Sequence, residues 1–177
     1  MLHLTDEATP AIEGTETVRL PWDGKYPQVL RARHLERIHG EVMVIEPDFI
    51  VQADLSPVWA FRFDVALCRR HYPIIGPDGR DVTQVMPFNG GLFWARSQAW
   101  KRDYLEFCEE NKGQFGWYVD QMAMAYLAGH DVLQLNCENF NHTPSPGEDV
   151  SKKYALHFKG KRKQAMLNYA MEHGYCE

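Results

Sequence analysis

The sequence predicts an α/β fold, in which helices pack on a sheet that contains parallel strands. Two observations carry that expectation. Short unbroken apolar runs, at residues 42–45 (Val-Met-Val-Ile) and within 64–68 (Asp-Val-Ala-Leu-Cys), read as strands buried on both faces, as in the middle of a parallel sheet. Stripes of helical period alternate with such runs, and one helix leads straight into residues 42–45, which makes half of a βαβ unit.

The elements follow in order. Residues 1–6 read as the end of a strand, and residues 9–25, rich in Gly, Pro, Thr and acids, as loop around a short strand at 17–20. Residues 28–39 form a helix, because Val29, Ala32, Leu35 and Ile38 share a stripe, Pro27 suits a first turn and Gly40 suits a stop. After residues 42–45, Pro47 cannot donate to a ladder and ends pairing. Asp54 or Ser56 caps a short helical turn, and Arg69, Arg70 and His71 leave strand 64–68 together, reading as a solvated basic turn in preference to a substrate contact. The apolar residues after Gly90-Gly91 form a strand. Ser97 opens the longest helix, to about residue 112, with Trp100, Tyr104, Leu105 and Cys108 facing inward. A helix at 117–128, a strand at 132–135, a loop at 136–147, a strand ending in His157 and a helix at about 162–173 complete the chain.

Composition limits the function. At 177 residues, 45% hydrophobic and 24% charged, the chain has the apolar content of one globular domain, residues 1–177, with a sizeable core. A net charge of −5 argues against general nucleic-acid binding. The four cysteines, Cys68, Cys108, Cys137 and Cys176, lack metal-type spacing and read as reduced thiols of a cytoplasmic protein. No apolar run is long enough for a transmembrane segment, and no signal peptide is expected at the N-terminus.

Four stretches carry candidate chemistry. Glu46 and Asp48 lie at the downstream end of a strand, where ligands bind in open α/β sheets, and two hard oxygen ligands there suit Mg²⁺ or Mn²⁺. Acidic residues also follow strands simply because loops are wet. In Asn89-Gly90-Gly91, the glycines allow close backbone approach and Asn89 offers a donor and an acceptor for sugar hydroxyls; a plain bulge explains the glycines equally well. Asp120-Gln121, near a helix start, either offsets the helix dipole or points a carboxylate into a cleft. In His157-Phe158-Lys159-Gly160-Lys161-Arg162-Lys163, imidazole suits Mn²⁺, lysine suits phosphate and Gly160 lets the backbone approach a diphosphate; the alternative is a strand-end histidine and a solvated turn.

Taken together and in this order, from about residue 31 to 163, these motifs resemble the GT-A-fold nucleotide-sugar glycosyltransferases, especially glycosyltransferase family 8 and its relatives. Glu46-Pro47-Asp48 stands where that family has Asp-x-Asp, with glutamate in place of the first aspartate. The resemblance implies a mixed, mainly parallel sheet flanked by helices, here N-terminally abbreviated because little precedes the first loop. It implies that Glu46, Asp48 and His157 hold Mn²⁺ (or Mg²⁺), and that Lys163 neutralises the leaving diphosphate. Arg31 or Arg33, with Gly90 and Gly160, would help to position the donor, while Asn89, Asp120 and Gln121 would form the catalytic sugar-binding set. The implied reaction is transfer of a hexosyl unit, with retention, from a nucleotide-sugar donor such as a UDP-hexose to a glycan, lipid or protein acceptor. Acceptor contacts are expected from loops 73–81 and 136–150. A relative that kept the fold as a non-catalytic binding module is the alternative.

Overall fold

The computed structural model describes residues 1–75, 79 and 81–176. In chain order the elements are β1 (Leu2–Thr5), β2 (Glu16–Arg19), α1 (Pro27–Arg37), β3 (Val42–Ile45), β4 (Phe49–Val51), β5 (Val65–Arg69), β6 (Phe88–Ala95), α2 (Gln98–Phe115), α3 (Val119–Tyr126), β7 (Val132–Asn136), the short α4 (Cys137–Phe140), β8 (Ala155–His157) and α5 (Lys163–Glu172). The main sheet has the order β3-β6-β5-β7. Strand β6 runs antiparallel to β3 and β5, and β7 runs parallel to β5, so β3, β5 and β7 share one direction around a reversed β6. This is a mixed, mainly parallel sheet flanked by helices. β1 and β2 form a separate parallel pair, and β4 and β8 a separate antiparallel pair.

β6 is buried along its whole length, and its alternating side chains divide the core. Phe93 and Ala95, with Val65 and Leu67 of β5, meet the apolar stripe of α1 and the inner faces of α2 and α3. Leu92 and Trp94, with Ala66 and Cys68, meet Val58, Phe63 and Cys137 on the opposite face. Local chemistry sets the helices: Pro27 occupies the first turn of α1, and the Ser97 hydroxyl accepts from the Trp100 N–H at 3.2 Å to cap α2.

The sequence reading of residues 42–45, 49–51 and 136–147 needs correction, the last because that span contains α4. Residues 42–45 lie at the edge of the main sheet, paired only with β6 among the described ladders, and Met43 is exposed. An apolar run reports what covers a strand's faces and says nothing about its edges. Residues 49–51, left unassigned by the sequence, form β4, which is too short to show a period. Loop 73–81 lies partly outside the described residues, at 76–78 and 80. Among the described residues, no helix is long and apolar enough to cross a membrane.

β1 is tied to α1 by buried His34, whose Nε2 lies 2.9 Å from the Thr5 carbonyl and donates to it. Burial holds the His34 imidazole below its ordinary pKa, outweighing that hydrogen bond. Such a histidine favours the unfolded chain once protons become available, so its contribution is complete above the unfolded value of about 6.5 and is lost as pH falls below it. Urea denaturation at neutral and mildly acidic pH should show this loss, and His34→Gln, which keeps a donor and cannot ionise, should reduce it.

Candidate metal centre and cleft

Strand pairing brings the site together. β4 and β8 pair with Phe49 opposite His157, and the Phe158 N–H donates to the Asp48 carbonyl at 2.9 Å, so Asp48 stands beside the imidazole. Glu46 closes the group from the end of β3, where its N–H donates to the Gly91 carbonyl at 2.9 Å. His157 Nε2 lies 3.3 Å from Asp48 Oδ1 and 3.4 Å from Glu46 Oε2. One ligand atom from each of the three residues falls within 4.8 Å of the others.

The imidazole is boxed in. It stacks on Phe49 with ring centroids 4.3 Å apart, and Asn141 Oδ1 lies 2.9 Å from Nδ1. Gly91 closes a further side: a Cβ added there would lie 2.6 Å from His157 Cε1 and 2.9 Å from a Phe49 ring carbon. A side chain at position 91 therefore displaces one ring or the other. Gly91→Ala should cost about 1–3 kcal/mol in stability and weaken Mn²⁺ binding, readable from denaturation and from Mn²⁺ titration of the folded fraction.

The donor set fits a divalent cation. Asp48 Oδ1 and His157 Nε2 are buried and make no hydrogen bond, and both face the same group of ligand atoms. Two carboxylates and one imidazole are the mixed oxygen and nitrogen set that Mn²⁺ accepts. Among the described residues, Arg31 pairs with both Glu46 and Asp120, while Asp48 pairs with no lysine or arginine.

Arg31, on α1, is the hub behind the centre. It donates to Glu46 Oε1 at 2.8 Å and to the Gly90 carbonyl at 3.0 Å, and it pairs with Asp120 Oδ2. Burial alone would raise the Glu46 carboxyl; the Arg31 charge and hydrogen bond act against it and help to hold the group below the usual glutamate range. Burial raises the Asp120 carboxyl above the usual aspartate value, and the Arg31 charge offsets only part of that. Gly90 is tightly placed, since a Cβ there would lie 3.1 Å from Asp120 Oδ2 and 3.2 Å from Arg31 Nη2. Asn89 is buried, with Oδ1 accepting from the Gly91 N–H at 3.2 Å and Nδ2 unpartnered.

Glu46, Asp48, Asp120, His157, Arg31 and Gly90 thus converge, Asn89 adjoins them through the Gly91 N–H, and the remaining candidates lie elsewhere. Arg33 projects from another side of α1 and pairs with Glu109 of α2 at 2.6 Å. Gln121 turns away from the carboxylates and accepts from Arg70 at 2.6 Å. Gly160 has φ +67, the left-handed turn that joins β8 to the last helix, with open space around it. Lys163 is exposed at the first residue of α5.

Next to the centre, beginning at Asn141, is a cleft of about 520 Å³ whose lining includes Tyr72, Cys137, His142, Lys153, Lys159 and Arg162. Lys153, Lys159 and Arg162 outnumber the carboxylates of Glu138 and Glu148 on its lining, and His142 lies 2.8 Å from Glu148. Burial, reinforced by the neighbouring Arg70 charge, holds the Lys159 ammonium below its ordinary pKa, a cost that an anionic partner would relieve. Lys159 and Arg162 belong to the quoted C-terminal motif, but its spacing could not show which of its cations turn inward.

Arg70 overturns the reading of residues 69–71 as a solvated turn. It is buried, donates to the Met86 carbonyl at 2.8 Å, contacts the Phe88 carbonyl and reaches Gln121. It thereby braces the start of β6 against α3. Arg70→Met should cost about 1–3 kcal/mol through carbonyls left unpaired, measured by urea denaturation. Asn141, which contacts His157, also escaped the sequence reading; its only signal was an asparagine within a loop rich in Asn, Pro and Ser.

No family model matches the chain, and no curated protein sequence does. The fold, however, is shared with crystal structures of glycosyltransferases. One is a glycosyltransferase involved in the glycosylation of the major capsid of PBCV-1, with a TM-score of 0.56 and 12% identity, covering 88% of this chain and 85% of that one. Another is GlyE of Streptococcus pneumoniae TIGR4, with a TM-score of 0.54 and 12% identity over 91% of this chain and 50% of that one. The apo form of GlyE gives a TM-score of 0.53 and 13% identity over 88% of this chain and 46% of that one. The chain therefore spans about half the length of GlyE. At such identities the likeness establishes the fold alone.

Proposed function

We propose that this chain is a metal-dependent glycosyltransferase that moves a hexosyl unit from a nucleotide-diphosphate sugar, a UDP-hexose, to a glycan, lipid or protein acceptor, with retention. The observation that carries the reading is the convergence of Glu46, Asp48 and His157 beside a cleft that Lys159 and Arg162 line. Asp48 and His157 hold the divalent ion, with Glu46 as the third ligand, kept ionised by Arg31. When bound, that ion supplies Lewis-acid stabilisation of the leaving diphosphate.

The chain's own groups do the rest. Lys159 and Arg162, which line the cleft, neutralise the diphosphate oxygens, the role that the family resemblance assigned to Lys163. Asn89 and Asp120, each with one buried polar atom unpartnered, hydrogen-bond the hexosyl hydroxyls. Gln121, clamped by Arg70, fixes the start of α3 and so the direction of Asp120. Phe49 and Gly91 keep the His157 ring from rotating.

The test is UDP release by the purified chain from a panel of UDP-hexoses with Mn²⁺, alongside thermal shift with Mn²⁺ and UDP. A bound donor nucleotide should stabilise the fold by about 2.7 kcal/mol at a hundred times its Kd. A binding-module reading draws support from one observation: Arg31 already engages both Glu46 and Asp120, so the carboxylates are partly neutralised without an ion. Absence of any shift with Mn²⁺ and UDP would favour it over the transferase.

A further inference from the structure

We propose that Asn141 is a positioning residue for the candidate metal centre. It fixes His157 as the Nδ1–H tautomer and so presents the Nε2 lone pair to the ion held with Glu46 and Asp48. The inference rests on the metal reading above and adds a residue that neither the sequence motifs nor the fold likeness marks.

Asn141 and His157 are both buried, and Asn141 Oδ1 lies 2.9 Å from His157 Nδ1. An amide oxygen can only accept, so Nδ1 must carry the proton. A neutral imidazole has one N–H, which leaves Nε2 as a lone pair facing Asp48 Oδ1 at 3.3 Å and Glu46 Oε2 at 3.4 Å. A lone pair facing two carboxylates is repulsive unless a cation, either a proton or a metal ion, lies between them. The opposite amide orientation gives a different molecule. With Nδ2 donating to Nδ1, the proton moves to Nε2, the histidine donates to the carboxylates, and the ligand atom is lost.

The backbone holds Asn141 for this task. It follows α4 directly, and its N–H donates to the Cys137 carbonyl at 2.9 Å. Its neighbour His142 is locked to β8 from both sides, donating to the Ala155 carbonyl at 3.1 Å and accepting from the His157 N–H at 2.7 Å. The Asn141 carbonyl accepts from the Cys137 thiol at 3.5 Å. Ring and amide are therefore carried on one hydrogen-bonded frame, the arrangement by which an outer hydrogen bond sets the tautomer and direction of a metal-binding histidine.

The experiment is long-range ¹H–¹⁵N NMR of the His157 ring in the metal-free chain, paired with Mn²⁺ titration of wild type, Asn141→Asp and Asn141→Ala. The expected results are an Nδ1–H tautomer in wild type, Mn²⁺ affinity about 10- to 100-fold weaker in Asn141→Ala, and affinity largely restored in Asn141→Asp, which keeps the acceptor. An Nε2–H tautomer in wild type overturns the proposal, and needs no variant to fold. Unchanged Mn²⁺ affinity in a folded Asn141→Ala protein also overturns it. Wild type that holds the Nδ1–H tautomer yet binds no Mn²⁺ refutes the metal reading, while the orienting contact itself stands.

Discussion

Asp48→Asn should sharply reduce Mn²⁺-dependent UDP release while leaving the fold intact. Asp48 Oδ1 makes no hydrogen bond, so replacing the carboxylate with an amide of the same shape removes charge without leaving a partner stranded. The backbone carbonyl of Asp48, which pairs with Phe158, is untouched. What disappears is one hard ligand and one negative charge at the point shared with His157 and Glu46. Metal stabilisation of a leaving diphosphate is worth several kcal/mol, and each 1.36 kcal/mol is tenfold in rate, so turnover should fall by about three orders of magnitude. Steady-state assays across Mn²⁺ concentrations check this, since a weakened site recovers activity at high Mn²⁺ and a purely structural effect does not.

The second large effect is on stability. Arg31→Met should destabilise the chain by about 3–5 kcal/mol, because it leaves buried Asp120 and the adjoining Glu46 without their shared guanidinium. Burial already raises the Asp120 carboxyl, and without Arg31 it rises further. A carboxyl whose folded pKa lies above its unfolded value keeps the folded state favoured while protonated, and that advantage is lost as pH rises through the folded value. The Arg31→Met deficit should therefore widen from acidic to neutral pH. Adding Asp120→Asn, which cannot ionise, should recover part of the stability. Urea denaturation of both single variants and the double variant gives the coupling directly.

The sequence carried the centre's ligands, and only the family resemblance implied that they meet. Glu46, Asp48 and His157 stand out by chemistry: two carboxylates behind a strand-stopping proline, and a histidine at a strand end. Their convergence depends on β4 pairing with β8, and β4 is only three residues long, too short for a period to reveal it. Arg31 was legible as a cation near the donor, yet its bridge between Glu46 and Asp120 required the packing of α1 against α3 and β6. Arg70 was misread because a run of cations after a strand normally faces water; here β6 presents backbone carbonyls where Arg70 emerges. Asn141 was illegible for the same reason, since its only distinction is where the chain returns beside β8. The helices and most strands, by contrast, were readable from local signals such as Pro27, the Ser97 cap and the apolar stripes, which need no partner to be recognised.

The central claim is that a divalent ion binds between β3, β4 and β8, and paramagnetic broadening tests it most directly. In a titration of the isotope-labelled chain with substoichiometric Mn²⁺, followed by NMR, the ring signals of His157 and the amide signals of Glu46, Asp48, Phe49 and Gly91 should broaden first. Asp48→Asn should remove that selectivity. Broadening that begins instead at exposed acidic residues such as Glu7 or Glu13, with His157 unaffected, would contradict the account.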